Sequence, residues 1–170
     1  MIQTFSNYDR SELIDAGIEM GTNVNISRTV VFHNPQNIKI GNNVRIDHGC
    51  LLIAGKQTKL IIDDGVHINA YCSFHANTAD IHVGKEVDIG IYTVFFTCMY
   101  DFNNKRPRSN TFISSIVVED NAIIGPSCVI LPGVKIGTSS SVGANSFVKT
   151  NVECNTIVAG NPSKLIKTKK

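Results

Sequence analysis

The chain has no run of about 18 consecutive apolar residues and no charged-then-apolar leader, so it predicts neither a membrane span nor a secretory signal. A cytoplasmic location is the expectation. The five cysteines are odd in number and never spaced C-x-x-C, which argues against a disulfide framework and against a zinc ribbon. Excess positive charge is equally scarce: 16 Lys and Arg against 14 Asp and Glu leave +2, and the one basic run is residues 164–170. That excludes a broad nucleic-acid footprint and leaves a tail that is solvated or touches a ligand. A helical period is missing too. Over residues 38–160, Gly, Pro, Asn and Asp fall everywhere, at up to about 1 kcal/mol per interior glycine and about 3 per proline in a helix.

What is present is a six-residue period. A bulky aliphatic residue followed by glycine or an acid recurs as Ile40-Gly41, Ile46-Asp47, Ile62-Asp63, Val83-Gly84, Ile89-Gly90, Ile124-Gly125, Ile136-Gly137 and Val142-Gly143. Four residues past such anchors stand small or β-branched residues: Val44, Cys50, Val66, Cys72, Val87, Thr93, Ala122, Cys128, Val134, Ser140 and Ser146. Two inward positions per hexad, one bulky and one small, fill a narrow prism of short strands and tight corners, each rung about 4.8 Å above the last. The pattern predicts an all-β parallel β-helix, sized at 170 residues with 42% hydrophobic content for a single domain with one core. Cys50, Cys72 and Cys128 take the small inward position as compact buried hydrophobes.

Residues 1–20 lack the hexad. Ser11-Glu12-Leu13-Ile14 before Gly17 reads as a short helical cap, and the prism proper is expected from about Val24. The period slips slightly over residues 53–59 and breaks over about 96–117, a long excursion of the kind that carries function. Gly160 and Pro162 end the stacking and send a C-terminal tail back along the outside.

The hexads, the phrase Ile-Gly-Pro-Ser-Cys-Val-Ile-Leu-Pro-Gly-Val-Lys-Ile-Gly at 124–137 and the closing Ala-Gly-Asn-Pro-Ser-Lys at 159–164 resemble the left-handed β-helix acyltransferases, galactoside and maltose acetyltransferases among them. The stretches 38–47 and 66–73 are similar to the branch that acetylates sugars of bacterial surface polysaccharides, including dTDP-4-amino-4,6-dideoxyglucose N-acetyltransferases. The resemblance implies a left-handed β-helix, a homotrimer with sites between prisms, acetyl-CoA as co-substrate, no metal, and a sugar or nucleotide-sugar acceptor.

It also implies roles. Asn69 falls at an active-site asparagine that contacts the acceptor, while the catalytic loop histidine of the galactoside type falls at Tyr100 here. Asp101 matches an acidic loop position that orients a base or binds a sugar amine. Gly143 and Ala144 would meet pantetheine through backbone, and Lys164 the coenzyme's phosphates.

Acyl transfer needs a nucleophile, a proton acceptor and oxyanion donors, and histidine is the usual acceptor near neutral pH. Among the five histidines, His75 begins an irregular stretch near the excursion, His67 stands outward two residues before Asn69, and His48 sits at a corner within reach of an acceptor. His33 and His82 read as surface residues. An amine acceptor makes a weaker demand for a base, so the missing loop histidine leans toward N-acetylation. Two other readings stand beside this one: a non-catalytic prism that serves assembly, and a γ-carbonic-anhydrase-like zinc enzyme. The latter wants a close H-x-x-x-x-H pair, whereas His67, His75 and His82 are spaced eight and seven apart.

Overall fold

Pairs of inward residues separated by tight corners can stack only if the chain turns three times per coil. The computed structural model, which describes residues 6–101 and 111–170, is the left-handed parallel β-helix the hexads predict. One face carries Glu19–Met20, Ile38–Ile40, Leu60–Ile62, Ile81–Val83, Ile116–Val118 and Lys135–Ile136. A second carries Asn25–Ile26, Arg45–Ile46, His67–Ile68, Asp88–Ile89, Ile123–Ile124 and Ser141–Val142, followed by Thr156–Ala159 and Lys164–Thr168. The third carries Val31–His33, Leu51–Ala54, Ser73–Ala76, Val94–Phe96, Val129–Ile130 and Phe147–Val148. Neighbours within a face are successive coils in parallel register, so Arg45 lies over His67 and His67 over Asp88.

Every anchor and every small residue named from the hexads is buried. Phe74 and Phe95 stack inside the third face, ring centroids 4.6 Å apart and planes 9° from parallel. The small cysteines do more than fill space. Cys50, Cys72 and Cys128 each donate an S–H to a corner carbonyl one coil on, at Asn69 (3.1 Å), Gly90 (3.2 Å) and Gly143 (3.2 Å). Thr93 does the same with its hydroxyl to Gly125 at 3.2 Å. This column therefore selects small side chains with a donor, because the carbonyls of the corner between the second and third faces have no strand partner.

The coils sit close enough to forbid side chains at some corners. A Cβ on Gly125 would lie 2.7 Å from the backbone nitrogen of Ala144. At the N-terminus the helix Arg10–Asp15 buries Leu13 against the open end and ends at Gly17, with φ at +96°. The first strand, Glu19–Met20, already pairs with Lys39–Ile40, so coiling starts before Val24 although those residues lack the hexad. The excursion leaves the third face after Phe96 and returns as an antiparallel pair, Cys98–Tyr100 with Thr111–Ile113; Phe102–Asn110 lie outside the described residues. At the other end, Lys164–Thr168 runs antiparallel on Thr156–Ala159, the outer return expected of the tail. Among the described residues no helix is long and apolar enough to cross a membrane.

Two outcomes follow. Phe95→Ala deletes a ring at 0% exposure from a stack that cannot collapse along the prism axis, and should cost about 3–5 kcal/mol by chemical denaturation. Glu119 is held down from 4.5 to about 2, chiefly by Lys135 Nζ at 2.6 Å and by the backbone N–H and hydroxyl of Thr138 at 2.9 and 3.0 Å. A depressed carboxylate stabilises fully above its unfolded value and loses that contribution as pH falls through its folded one. The gap in denaturation midpoint between wild type and Glu119→Gln should therefore close as pH drops from above 4.5 toward 2.

Candidate active site

The second face is polar where it faces out. In its third coil His67 lies between two carboxylates supplied by the coils on either side. Its Nε2 is 3.3 Å from Asp47 Oδ2, and its Nδ1 is 3.7 Å from Asp88 Oδ1. Only the first is a hydrogen-bond distance. Nε2–H donates to Asp47 in that arrangement. Asp47 is itself fixed by the guanidinium Nε of Arg45 at 2.7 Å.

Asn69 stands at the adjoining corner, one anchor residue after His67. Its amide nitrogen donates to Asp88 Oδ1 at 3.2 Å and to the carbonyl of Ile89 at 3.0 Å, while the Cys50 thiol holds its own carbonyl. These contacts fix the side chain with its Oδ1 turned away from them, free to accept a hydrogen bond from a bound N–H or O–H. A cleft of about 300 Å³ opens beside this cluster toward the N-terminus, lined by Asn7, Asn25, Ser27, Arg45, Asp47 and His48.

The other expected residues are distributed differently. His48 lies at the same corner one coil earlier with its ring perpendicular to that of Tyr71, centroids 5.0 Å apart at 87°. His75 is on the third face, not the second: Ser73 Oγ is 3.1 Å from its Nε2 and its ring stacks on Phe96 at 5.0 Å. Burial lowers its pKa below the ordinary histidine value. Tyr100 is exposed on the excursion strand and Asp101 follows it. His82 is paired with Asp63 at 2.7 Å on the first face, and His33 is on an exposed strand rather than in a turn.

Near the C-terminal end, Gly143 is committed: its N–H bonds the carbonyl of Val158 at 2.8 Å, and its own carbonyl accepts from Ser146 and Cys128. Ala144 follows it on the same corner. Lys164 pairs in register with Ala159, which packs over Gly143, so its exposed side chain stands at that corner as well. Among the described residues no cluster of three or more His, Cys, Asp or Glu is arranged to hold a metal.

Sequence reasoning missed two things. Asp47 and Asp88 flank His67, an arrangement visible only once coils of unequal length are laid in register. The corner also carries an aromatic ladder, in which Tyr71 and Tyr92 stack at 5.1 Å and 9°. Both tyrosines have positive φ, +57° and +62°, a conformation that costs a bulky residue about 1–3 kcal/mol.

Residues 115–150 match the family model described as bacterial transferase hexapeptide (six repeats). The chain is 32% identical over 166 residues to the dTDP-4-amino-4,6-dideoxy-D-glucose acyltransferase of Escherichia coli, covering 93% of this chain and 86% of that protein. It is 30% identical over 145 residues to the putative lipopolysaccharide biosynthesis O-acetyl transferase WbbJ of E. coli K12, covering 79% and 73%. Among solved structures, a point mutant of the Bacillus cereus N-acyltransferase AntD, in complex with dTDP-4-amino-4,6-dideoxyglucose and coenzyme A, superposes with a TM-score of 0.90 at 32% identity, covering 99% of this chain and 92% of that one. AntD has also been crystallised with dTDP and 3-hydroxybutyryl-CoA. With its coils and these relatives in agreement, the chain belongs to the hexapeptide-repeat transferase family and is one of its acyltransferases.

Proposed function

We propose that the enzyme transfers an acetyl group from acetyl-CoA to the amine of a nucleotide-linked sugar, a precursor of surface polysaccharide. The observation that carries this reading is Asn69, held by Asp88 and Ile89 so that Oδ1 is left to receive an acceptor N–H beside His67. The amine nitrogen attacks the thioester carbon, the C–S bond breaks as the tetrahedral oxyanion collapses, and His67 Nδ1 takes the proton that the nitrogen loses. The carboxylates of Asp47 and Asp88 favour an amine over a neutral hydroxyl at this position. Ala144 backbone supports the pantetheine amides and Lys164 the coenzyme phosphates, with Gly143 shaping the corner rather than bonding.

The working assembly in this reading is a homotrimer. The third face presents Val31, Leu51, Ser73, Val94, Val129 and Phe147 outward in one row, and His33, Ile53, His75, Phe96 and Leu131 beside it, a mostly apolar surface interrupted by Ser73 and two histidines. An apolar sheet of this extent needs cover. The Asn69 corner borders one edge of that face and the excursion with Tyr100 and Asp101 the other, so a ring of copies facing inward sets the excursion of one against the cluster of the next.

CoA release measured with nucleotide-linked 3-amino and 4-amino sugars should show turnover, against little with hydroxyl-only glycosides. Asn69→Ala and His67→Ala should each lower kcat/KM by about a hundredfold or more, with His75→Ala close to wild type. Loss in His75→Ala alone would move the proton acceptor to the third face. Sedimentation should give a trimer that Val94→Asp dissociates; a monomeric wild type would remove the proposed assembly.

A further inference from the structure

Asp47 divides its two carboxylate oxygens between neighbours: Oδ2 lies 3.3 Å from His67 Nε2, and Oδ1 accepts from Arg45 Nε at 2.7 Å. That contact fixes the direction of the guanidinium and engages one of its five N–H donors. Nη1 and Nη2 of Arg45 have no partner among the described residues, and the side chain is 62% exposed. It lines the cleft of about 300 Å³ together with Asn7, Asn25, Ser27 and His48.

The lining of that cleft is suited to an anion with a polar extension. Its one carboxylate, Asp47, is already engaged by Arg45 and His67. Asn25 stands in register with Arg45 one coil earlier, and the side-chain amides of Asn25 and Asn7 have no partner among the described residues. A planar guanidinium held at Nε presents its remaining donors as a fork, the arrangement that matches phosphate oxygens. The register supplies the distance. Arg45 is one coil from His67, about 4.8 Å along the prism, which is close to the width of one sugar ring. An amine at Asn69 and His67 therefore brings the anomeric oxygen, and the phosphate it carries, to Arg45. The rest of a nucleotide then extends toward Asn25 and Asn7.

We infer that Arg45 seats the diphosphate of the nucleotide-linked acceptor in this cleft. The inference rests on the proposed transfer to an amine at Asn69. The coenzyme also carries a diphosphate, but in that reading its phosphates lie by Lys164, near the opposite end of the prism. Arg45 thus joins the two halves of acceptor recognition, since the guanidinium that grips phosphate through its terminal nitrogens holds Asp47, and through it His67, by Nε.

The test titrates thymidine diphosphate, which has the diphosphate but no amine, into wild type, Arg45→Gln and Arg45→Lys by calorimetry, with coenzyme A titrated alongside. A thermal melt checks that the variants are folded. Arg45→Gln should weaken thymidine diphosphate binding about tenfold or more, and Arg45→Lys, which keeps the charge without the fork, should fall between. Coenzyme A affinity should stay within about twofold. The KM for a nucleotide-linked amino sugar should rise with the loss of thymidine diphosphate affinity, while that for acetyl-CoA holds. Thymidine diphosphate bound equally by wild type and folded Arg45→Gln, not bound by wild type, or lost together with coenzyme A overturns the inference. Turnover that falls in Arg45→Gln with thymidine diphosphate affinity kept shows that Arg45 acts through Asp47 alone, which overturns the inference and leaves the transferase reading standing. Thymidine diphosphate binding that depends on Arg45 in a protein that turns over no amino sugar supports the phosphate seat and removes the transferase reading.

Discussion

Everything in this protein depends on the parallel hydrogen-bond ladder that sets each coil on the last at about 4.8 Å. That spacing makes the prism a set of columns. A residue is defined by what stands one coil before and after it, near 20 positions away in sequence, more than by its neighbours along the chain. The ladder explains the alternation of bulky and small inward residues, the bare glycines where backbones nearly touch, and the thiols and hydroxyls that satisfy corner carbonyls. It also builds the site, since Asp47, His67 and Asp88 come from three successive coils.

A rigid column has a functional consequence. Substrates that lie along a corner are read rung by rung, and the character of the corner changes along its length. It is polar and cleft-like over the first two coils, aromatic over His48, Tyr71 and Tyr92, and small beyond. Asn69 marks the place where the polar and aromatic stretches meet.

The fold was almost wholly legible in the sequence because inward positions are local, repeating every six residues, and each hexad residue named from the pattern is buried. Asn69 was singled out through resemblance and His67 through its outward position two residues earlier, and the structure places them on one coil. The partners were not. Pairing His67 with Asp47 and Asp88 requires knowing where each coil begins, and the corner at 53–59 and the excursion after Phe96 shift that count. His75 lies on the face from which the excursion departs, six residues and one face along the coil from Asn69. The start of coiling at Glu19 escaped since its pairing comes from the coil beneath rather than from any hexad of its own.

A crystal structure of the enzyme with coenzyme A and a nucleotide-linked amino sugar bound together tests the central claim most directly. The account predicts the sugar nitrogen within hydrogen-bond reach of Asn69 Oδ1, the nucleotide toward the cleft of Asn25 and Arg45, and the coenzyme along the corner of Ala144 and Lys164. A sugar amine seated on the third face against His75, away from Asn69 and His67, would contradict it.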